Sequence, residues 1–332
     1  MHKKIIALFL AMALAVTGLT GCSIFGTKVV LTTSLTDSTV CRVGEETVSV
    51  AQAKVFLMNY RNSYEKVYGK GIIKVSDGNQ SLEKYTKKTT LSVLAKMKTM
   101  KLLAEKMKIS LSKEENEKVR KAAAEYYKSL SKGDLSVLSV NEEAIEELYR
   151  DMAVATKLYT DLTGGVSSEV SDDDARVMLV KQLVVADAAT AKTVEKKLKA
   201  GTAFENLISY YSNETGDTIA LYRQKMSDTA YQVLKQLDDE EVSHCIQENG
   251  KYYFYKIVSR IDRELTNENK SVILKEWARA AFDTVYQKFC KKLSSDYNEE
   301  VWEDISLKEG KECTTSSFFE VFDKHLGYLK QE

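Results

Sequence analysis

The stretch 177-VMLVKQLVVADAATAKTVEKKLKAGTAFENLISYYSNE-214 carries a strand and two helices in quick succession. Val177 to Val185 is apolar except for Lys181 and Gln182, the composition of a strand covered on both faces. Ala191, Val194 and Leu198 fall on one helical face that Gly201 terminates, and Phe204, Leu207, Ile208 and Tyr211 recur at helical spacing. Further on, Val242 to Ile246 and Tyr252 to Ile257 flank QENGK at 247–251, which predicts an antiparallel hairpin. Residues 172–262 therefore predict a small α+β domain in the order βαααββ.

Working outward, CRVGEETVSV at 41–50 reads as a hairpin around Gly44 and Glu45, and helical pattern dominates from there to residue 163. Val93, Met97, Met100, Ala104 and Met107 make one apolar stripe. Ser112 with Glu115 and Ser139 with Glu142 are capping-box pairs that open two further helices, the second running through Ala144, Leu148, Met152, Ala155, Tyr159 and Leu162 to Gly164 and Gly165. These stripes serve as core. Methionine is also unbranched and adaptable, so Met97, Met100, Met107 and Met152 are candidates for a surface that takes varied apolar segments. Beyond the middle domain, Leu274, Trp277, Ala278, Ala281, Val285, Phe289 and Leu293 give residues 267–297 an apolar helical face. Such a face needs a partner, and the amino-terminal helices are the natural one. The expectation is a discontinuous helical domain made of 39–165 and a returning segment 266–332, with 172–262 inserted as a lobe.

Residues 1–21 pair Lys3 and Lys4 with an apolar core from Ile5 to Val16, too short to span a bilayer, and predict a secretory signal peptide. LTGC at 19–22 resembles the bacterial lipobox, which implies cleavage before Cys22, acylation of its sulfur and a lipid partner in the membrane; 22–38 then reads as a Ser/Thr-rich tether in which Val29-Val30-Leu31 is compatible with a short strand. Lysine plus arginine and aspartate plus glutamate each number 48, and two of the lysines lie in the leader, so no basic field for nucleic acid follows. Cys41, Cys245, Cys290 and Cys313 are scattered without a C-x-x-C pair. Only His244 and His325 accompany them in the mature chain, so no metal or cofactor is expected. Disulfides are permitted outside the cytoplasm, and the pattern leaves free thiols equally open. Proline is absent, where average usage gives roughly 17, and the chain never waits on an X-Pro bond of its own. The alternating βα pattern of solute-binding lobes is missing, which disfavours a solute-binding lipoprotein.

The spacing of LKAGTAFENLISYYS at 198–212, GDTIALYRQKM at 216–226 and LDDEEVS at 237–243 resembles the parvulin family of prolyl isomerases over residues 177–258. That resemblance implies two central histidines, at positions that here hold Gln182 and Tyr253, and an aromatic proline pocket at positions held by Leu221, Met226, Ala230 and Lys235. Isomerisation requires an apolar clamp and a site that favours the twisted amide. A lysine in a dry pocket works against the first. Gln182 and Tyr253 are positioned to hydrogen-bond across two strands in place of the histidines, and His244 sits on the wrong strand to substitute. Taken together with KMKISLSKEENEKV at 106–119, the whole arrangement resembles PrsA foldases and SurA chaperones. The resemblance implies an extracytoplasmic chaperone for unfolded exported polypeptides, its helical domain cradling clients, while the departures at Gln182, Tyr253 and Lys235 make the parvulin lobe a degenerate one. An active prolyl isomerase is the alternative.

Overall fold

The structure is a computed structural model that describes residues 28–31, 35–76, 80–212 and 216–330. Cys22 and the leader lie outside the described residues. In chain order the elements are β1 (Lys28–Leu31), β2 (Thr39–Val43), β3 (Glu46–Ser49), α1 (Val50–Tyr68), α2 (Leu82–Met107), α3 (Lys113–Ser129), α4 (Lys132–Leu138) and α5 (Glu142–Thr163). They continue with β4 (Val177–Val185), α6 (Ala188–Lys199), α7 (Phe204–Tyr211), β5 (Ile219–Tyr222), α8 (Asp228–Leu234), β6 (Ile246–Glu248) and β7 (Lys251–Ser259). The last elements are α9 (Arg263–Cys290), β8 (Ser294–Tyr297), α10 (Glu299–Glu303) and α11 (Phe318–Leu326). The fold is α+β and about 58% helical. Two compact units divide the chain: a helical unit of the residues up to Gly165 with those from Ala281 onward, and a middle unit, Val166–Ala280.

The helical unit is organised by local signals that agree with its packing. Ser49 and Gln52 form a capping box on α1, and Ser112 and Glu115 form the expected one on α3. Ser139 departs from expectation. It does not open α5 but closes α4 in a left-handed conformation (φ 51°), and Asn141 caps α5 instead. The short α4 has its own capping box, Ser131 with Asp134, whose proximity to the next helix hides the break in the sequence pattern.

One aromatic core joins α1, α3 and α5 to the carboxy-terminal segment. The Phe318 ring lies 5.4 Å from Phe56, 5.1 Å from Tyr126 and 4.5 Å from Tyr149. Its backbone is held as well: its N–H donates to Asn59 Oδ1 at 3.1 Å and its carbonyl accepts from the Tyr149 hydroxyl at 2.7 Å. A four-stranded sheet in the order β1-β8-β2-β3 completes this unit, with β1 parallel to β8 and β2 antiparallel to both its neighbours. Residues 28–31, within the expected tether, form an edge strand, as the apolar run Val29-Val30-Leu31 allowed. The helical pattern expected over 267–297 ends at Cys290, because residues 294–297 pair with β1 and β2. The seven-residue face expected there also divides. Phe282, Tyr286 and Cys290 are buried in the helical unit with Val285, Phe289 and Leu293 packed beside them, whereas Ile273 and Leu274 pack on Val170 and Ala175 in the middle unit and Trp277 is 40% exposed.

The middle unit is a second antiparallel sheet, β5-β4-β7-β6. The central strand β4 separates two apolar clusters, which explains its continuous apolar sequence: Met178 and Val180 serve one face, Leu183 and Val185 the other. Asn249 (φ 49°) and Gly250 (φ 74°) make the tight β6–β7 turn that an Asn-Gly pair favours. The observed order is βααβαββ. The extra strand, β5, is short and only partly buried, so it lacks the alternation that marks a strand.

Candidate functional site

The parvulin-type positions converge on one face of the middle sheet. Ala230 is buried with Met178, Val180, Tyr231, Leu234, Ile246, Tyr255 and Ile257, and the half-buried Leu221, Met226 and Tyr253 pack against that cluster. β5 delivers Leu221, and α8, capped by Ser227, delivers Ala230. In the β4–β7 ladder Gln182 lies opposite Tyr255, and Tyr253 lies opposite Val184. Gln182 and Tyr253 therefore stand diagonally across the ladder, two register positions apart, on the same face. No hydrogen bond joins them, contrary to the expected replacement of the histidine pair. The Tyr253 ring instead stacks parallel on Tyr255 at 6.2 Å.

Lys235 is half-buried at the end of α8, and its ammonium stands 5.5 Å from the centre of the Tyr231 ring. The ring quadrupole replaces part of its hydration there. The Arg223 guanidinium lies 4.3 Å from the same ring, and Arg223 also pairs with Asp228 at 2.6 Å. The Tyr231 hydroxyl donates to Asp173, and burial followed by that carboxylate pushes it up to about 12. This side of the pocket is a cation-lined tyrosine rather than an aromatic clamp. His244 is exposed on the segment before β6.

Of the candidate client-binding methionines, three are core: Met97, Met100 and Met152 are 5%, 3% and 6% exposed. Only Met107, at the last turn of α2, reaches the surface. The exposed apolar surface of the helical unit is instead mostly tyrosine and valine. Tyr68 and Val67 end α1, Val75 follows the 3₁₀ turn Ile72–Lys74, and Tyr85 opens α2; all four are exposed. Burial and then the neighbouring hydroxyls of Tyr85 and Tyr68 push the Tyr64 hydroxyl upward, so Tyr64, Tyr68 and Tyr85 form one group. The signal for it in the sequence is tyrosine at i and i+4 along α1, Tyr64 and Tyr68, rather than methionine.

Carboxylates from β3 and α5 meet around Lys98 of α2. Glu46, Glu147 and Asp151 place an oxygen each within 4.8 Å of the others, and the Lys98 ammonium lies 3.5, 3.1 and 2.6 Å from them in that order. The lysine supplies the cation that such a trio would otherwise recruit. Burial opposes the Lys98 charge, but Asp151 and Glu147 outweigh it and hold its pKa above the ordinary lysine value. The four cysteines among the described residues, Cys41, Cys245, Cys290 and Cys313, are free thiols. Burial pushes Cys41 up to about 12 and Cys313 up to about 11, which makes both poor nucleophiles.

Neither a protein-family model nor a curated protein sequence matches the chain. Solved structures do. A PrsA peptidylprolyl isomerase from Bacillus cereus is 17% identical, with 89% of this chain and 97% of that one covered at a TM-score of 0.37. A PrsA from Bacillus anthracis is 18% identical, with 60% and 98% covered at 0.33. SurA-like chaperones of Campylobacter jejuni are represented at 14% identity, with 79% and 99% covered at 0.30. The solved structures that this chain is similar to are PrsA foldases and SurA-like chaperones.

Proposed function

We propose that this chain is an extracytoplasmic foldase that holds unfolded exported polypeptides, tethered to a bacterial membrane through acylated Cys22. The observation that carries the proposal is the exposed apolar surface of Tyr68, Tyr85, Val67 and Val75, two tyrosines and two valines, on the helical unit. Tyrosine offers large apolar area with few rotatable bonds and tolerates water between clients, which suits transient capture of varied sequences. The Met-stripe candidates are replaced in this role, since Met97, Met100 and Met152 hold the core together, and Met107 remains.

The middle unit is proposed as a parvulin-type lobe without effective catalysis. Gln182 and Tyr253 replace the two histidines that the resemblance implies, they do not bond to each other, and Lys235 borders the pocket. A second reading, an active prolyl isomerase, draws on the apolar cluster of Leu221, Met226, Ala230 and Tyr253, which retains the character of a ring clamp.

The test is aggregation of a reduced secreted protein, followed by light scattering with and without residues 23–332. Suppression at near-stoichiometric ratios is expected, and unchanged scattering contradicts the proposal. The tether is tested separately: Cys22→Ala is expected to abolish partitioning of the precursor's product into detergent, and retained partitioning contradicts the anchor.

A further inference from the structure

We infer that the helical unit carries a second binding site, an acid-rimmed cavity for a lysine- or arginine-rich stretch of unfolded polypeptide. The inference rests on the foldase reading for the kind of partner, and on the cavity itself for its charge. The cavity measures about 670 Å³, within the range of about 300–1,000 Å³ typical of ligand sites. Val50 and Met58 of α1, Val137 of α4, and Val301 and Ile305 form its apolar part. Asp37, Glu300, Asp304, Glu309 and Glu312 line it as well, against one ammonium, that of Lys54. Among the described residues none of these six side chains is engaged in an ion pair or a side-chain hydrogen bond. The field in the cavity is therefore negative, five carboxylates against one ammonium, in a chain whose charges balance overall at 48 to 48.

The wall that presents Glu309 and Glu312 is held in place from behind. The buried Arg61 guanidinium donates to the carbonyls of Glu309 at 2.7 Å, Gly310 at 3.1 Å and Cys313 at 2.6 Å. Its charge is thus directed to backbone oxygens. Asp134 accepts from the N–H groups of Thr314 and Thr315 at 2.7 and 3.0 Å. Gly310, at φ +66°, lies so close to α4 that a Cβ there would sit 2.8 Å from Val137 Cγ1. A wall fixed in this way presents its carboxylates without an ordering penalty when a partner arrives.

The spacing of the acids selects the partner. Among the described residues the only carboxylate trio close enough to share an ion is Glu46, Glu147 and Asp151, outside this cavity. The five rim carboxylates are spread around an apolar floor. That arrangement fits a chain of several cations with apolar side chains between them better than a point charge. An exported polypeptide bearing interspersed lysines and leucines has this chemistry, and its capture through charge would be fast and salt-sensitive.

The test uses the 23–332 chain and three labelled peptides of equal length, alternating Leu with Lys, Ser or Glu, read by fluorescence anisotropy. The Lys peptide is expected to bind and to weaken as salt rises, and the Ser and Glu peptides to bind far less. The triple variant Glu300→Gln, Glu309→Gln, Glu312→Gln changes exposed positions and is expected to keep its melting temperature while losing affinity for the Lys peptide by about tenfold. A control of equal charge change, Glu117→Gln, Glu142→Gln, Glu143→Gln, is expected to bind as the parent does. Equal loss in the control, or no loss in the cavity variant, overturns the site. The outcome is separable from that of the foldase reading. If the parent chain suppresses client aggregation but binds the three peptides alike, this inference alone falls; if it binds the Lys peptide selectively but suppresses no aggregation, the foldase reading alone falls.

Discussion

Tyr149 and Phe318, from α5 and the start of α11, share a hydrogen bond of 2.7 Å and a ring stack of 4.5 Å. Together with Asn59 and Tyr126 they make the carboxy-terminal segment part of the helical core. Phe318→Ala removes a fully buried ring from contact with Phe56, Tyr126 and Tyr149, at a cost of about 3–5 kcal/mol. That is a large share of a domain's stability of about 5–15 kcal/mol. Circular dichroism is expected to show a strongly lowered melting temperature, and a chain truncated after Arg263 is expected to aggregate. A truncated chain with an unchanged melt would show that the helical unit closes without this segment.

The Lys98 network is expected to be costly to break from one side. Lys98→Met leaves the buried Asp151 without its 2.6 Å partner and with only Lys101 at 3.6 Å, and is expected to lower stability by at most about 3–5 kcal/mol, while Lys98→Met with Asp151→Leu recovers most of the loss. Because the folded-state pKa of Lys98 is raised, its contribution is intact at neutral pH and is lost only as alkaline pH passes the folded value. Denaturant midpoints measured from neutral to alkaline pH would show a decline that the double variant lacks.

Glu205 provides a pH signature for the middle unit. The α7 amino terminus, then Lys181 at 3.0 Å and Lys256 at 3.4 Å, pull its carboxyl down to about 2. A depressed carboxylate stabilises the fold above its unfolded value of about 4.3, and that contribution is lost as pH falls towards 2. The side chain is 43% exposed, so solvent screening holds the effect under about 1 kcal/mol. Glu205→Gln is expected to flatten the urea midpoint of the middle unit over this acid window; an unchanged slope would mean that the two lysines do not act on it.

Catalysis is expected to be weak or missing. With Gln182 and Tyr253 at the ladder centre and Lys235 at the pocket edge, X-Pro peptides in the presence of the protein should interconvert at close to the spontaneous rate, over roughly tens to hundreds of seconds. Fast exchange that Gln182→Ala or Tyr253→Phe abolishes would establish the isomerase reading instead.

Much of the architecture was legible wherever a local signal and the packing coincide. The Asn249-Gly250 turn, the Ser112–Glu115 box and the β4 apolar run each specify their element within a few residues. Ser139 misleads because the same serine that suits an N-cap also tolerates the left-handed conformation that ends α4. β5 and β8 are four residues each and owe their extended form to neighbours distant in sequence, β4 at residues 177–180 and β2 at 41–43. Sites follow the same division. The parvulin-type positions were found through spacing within one unit of chain, whereas the acid-rimmed cavity gathers residues from 37 to 312 that no local pattern connects.

The central claim is that the helical unit holds clients and the middle unit is dispensable for it. The direct measurement replaces Val166–Ala280 by a flexible Gly/Ser linker and compares suppression of client aggregation with that of the full 23–332 chain. A cooperative melt and protection close to that of the full chain are expected. A linked protein that melts cooperatively yet leaves the client to aggregate would contradict it and place the chaperone surface on the middle unit.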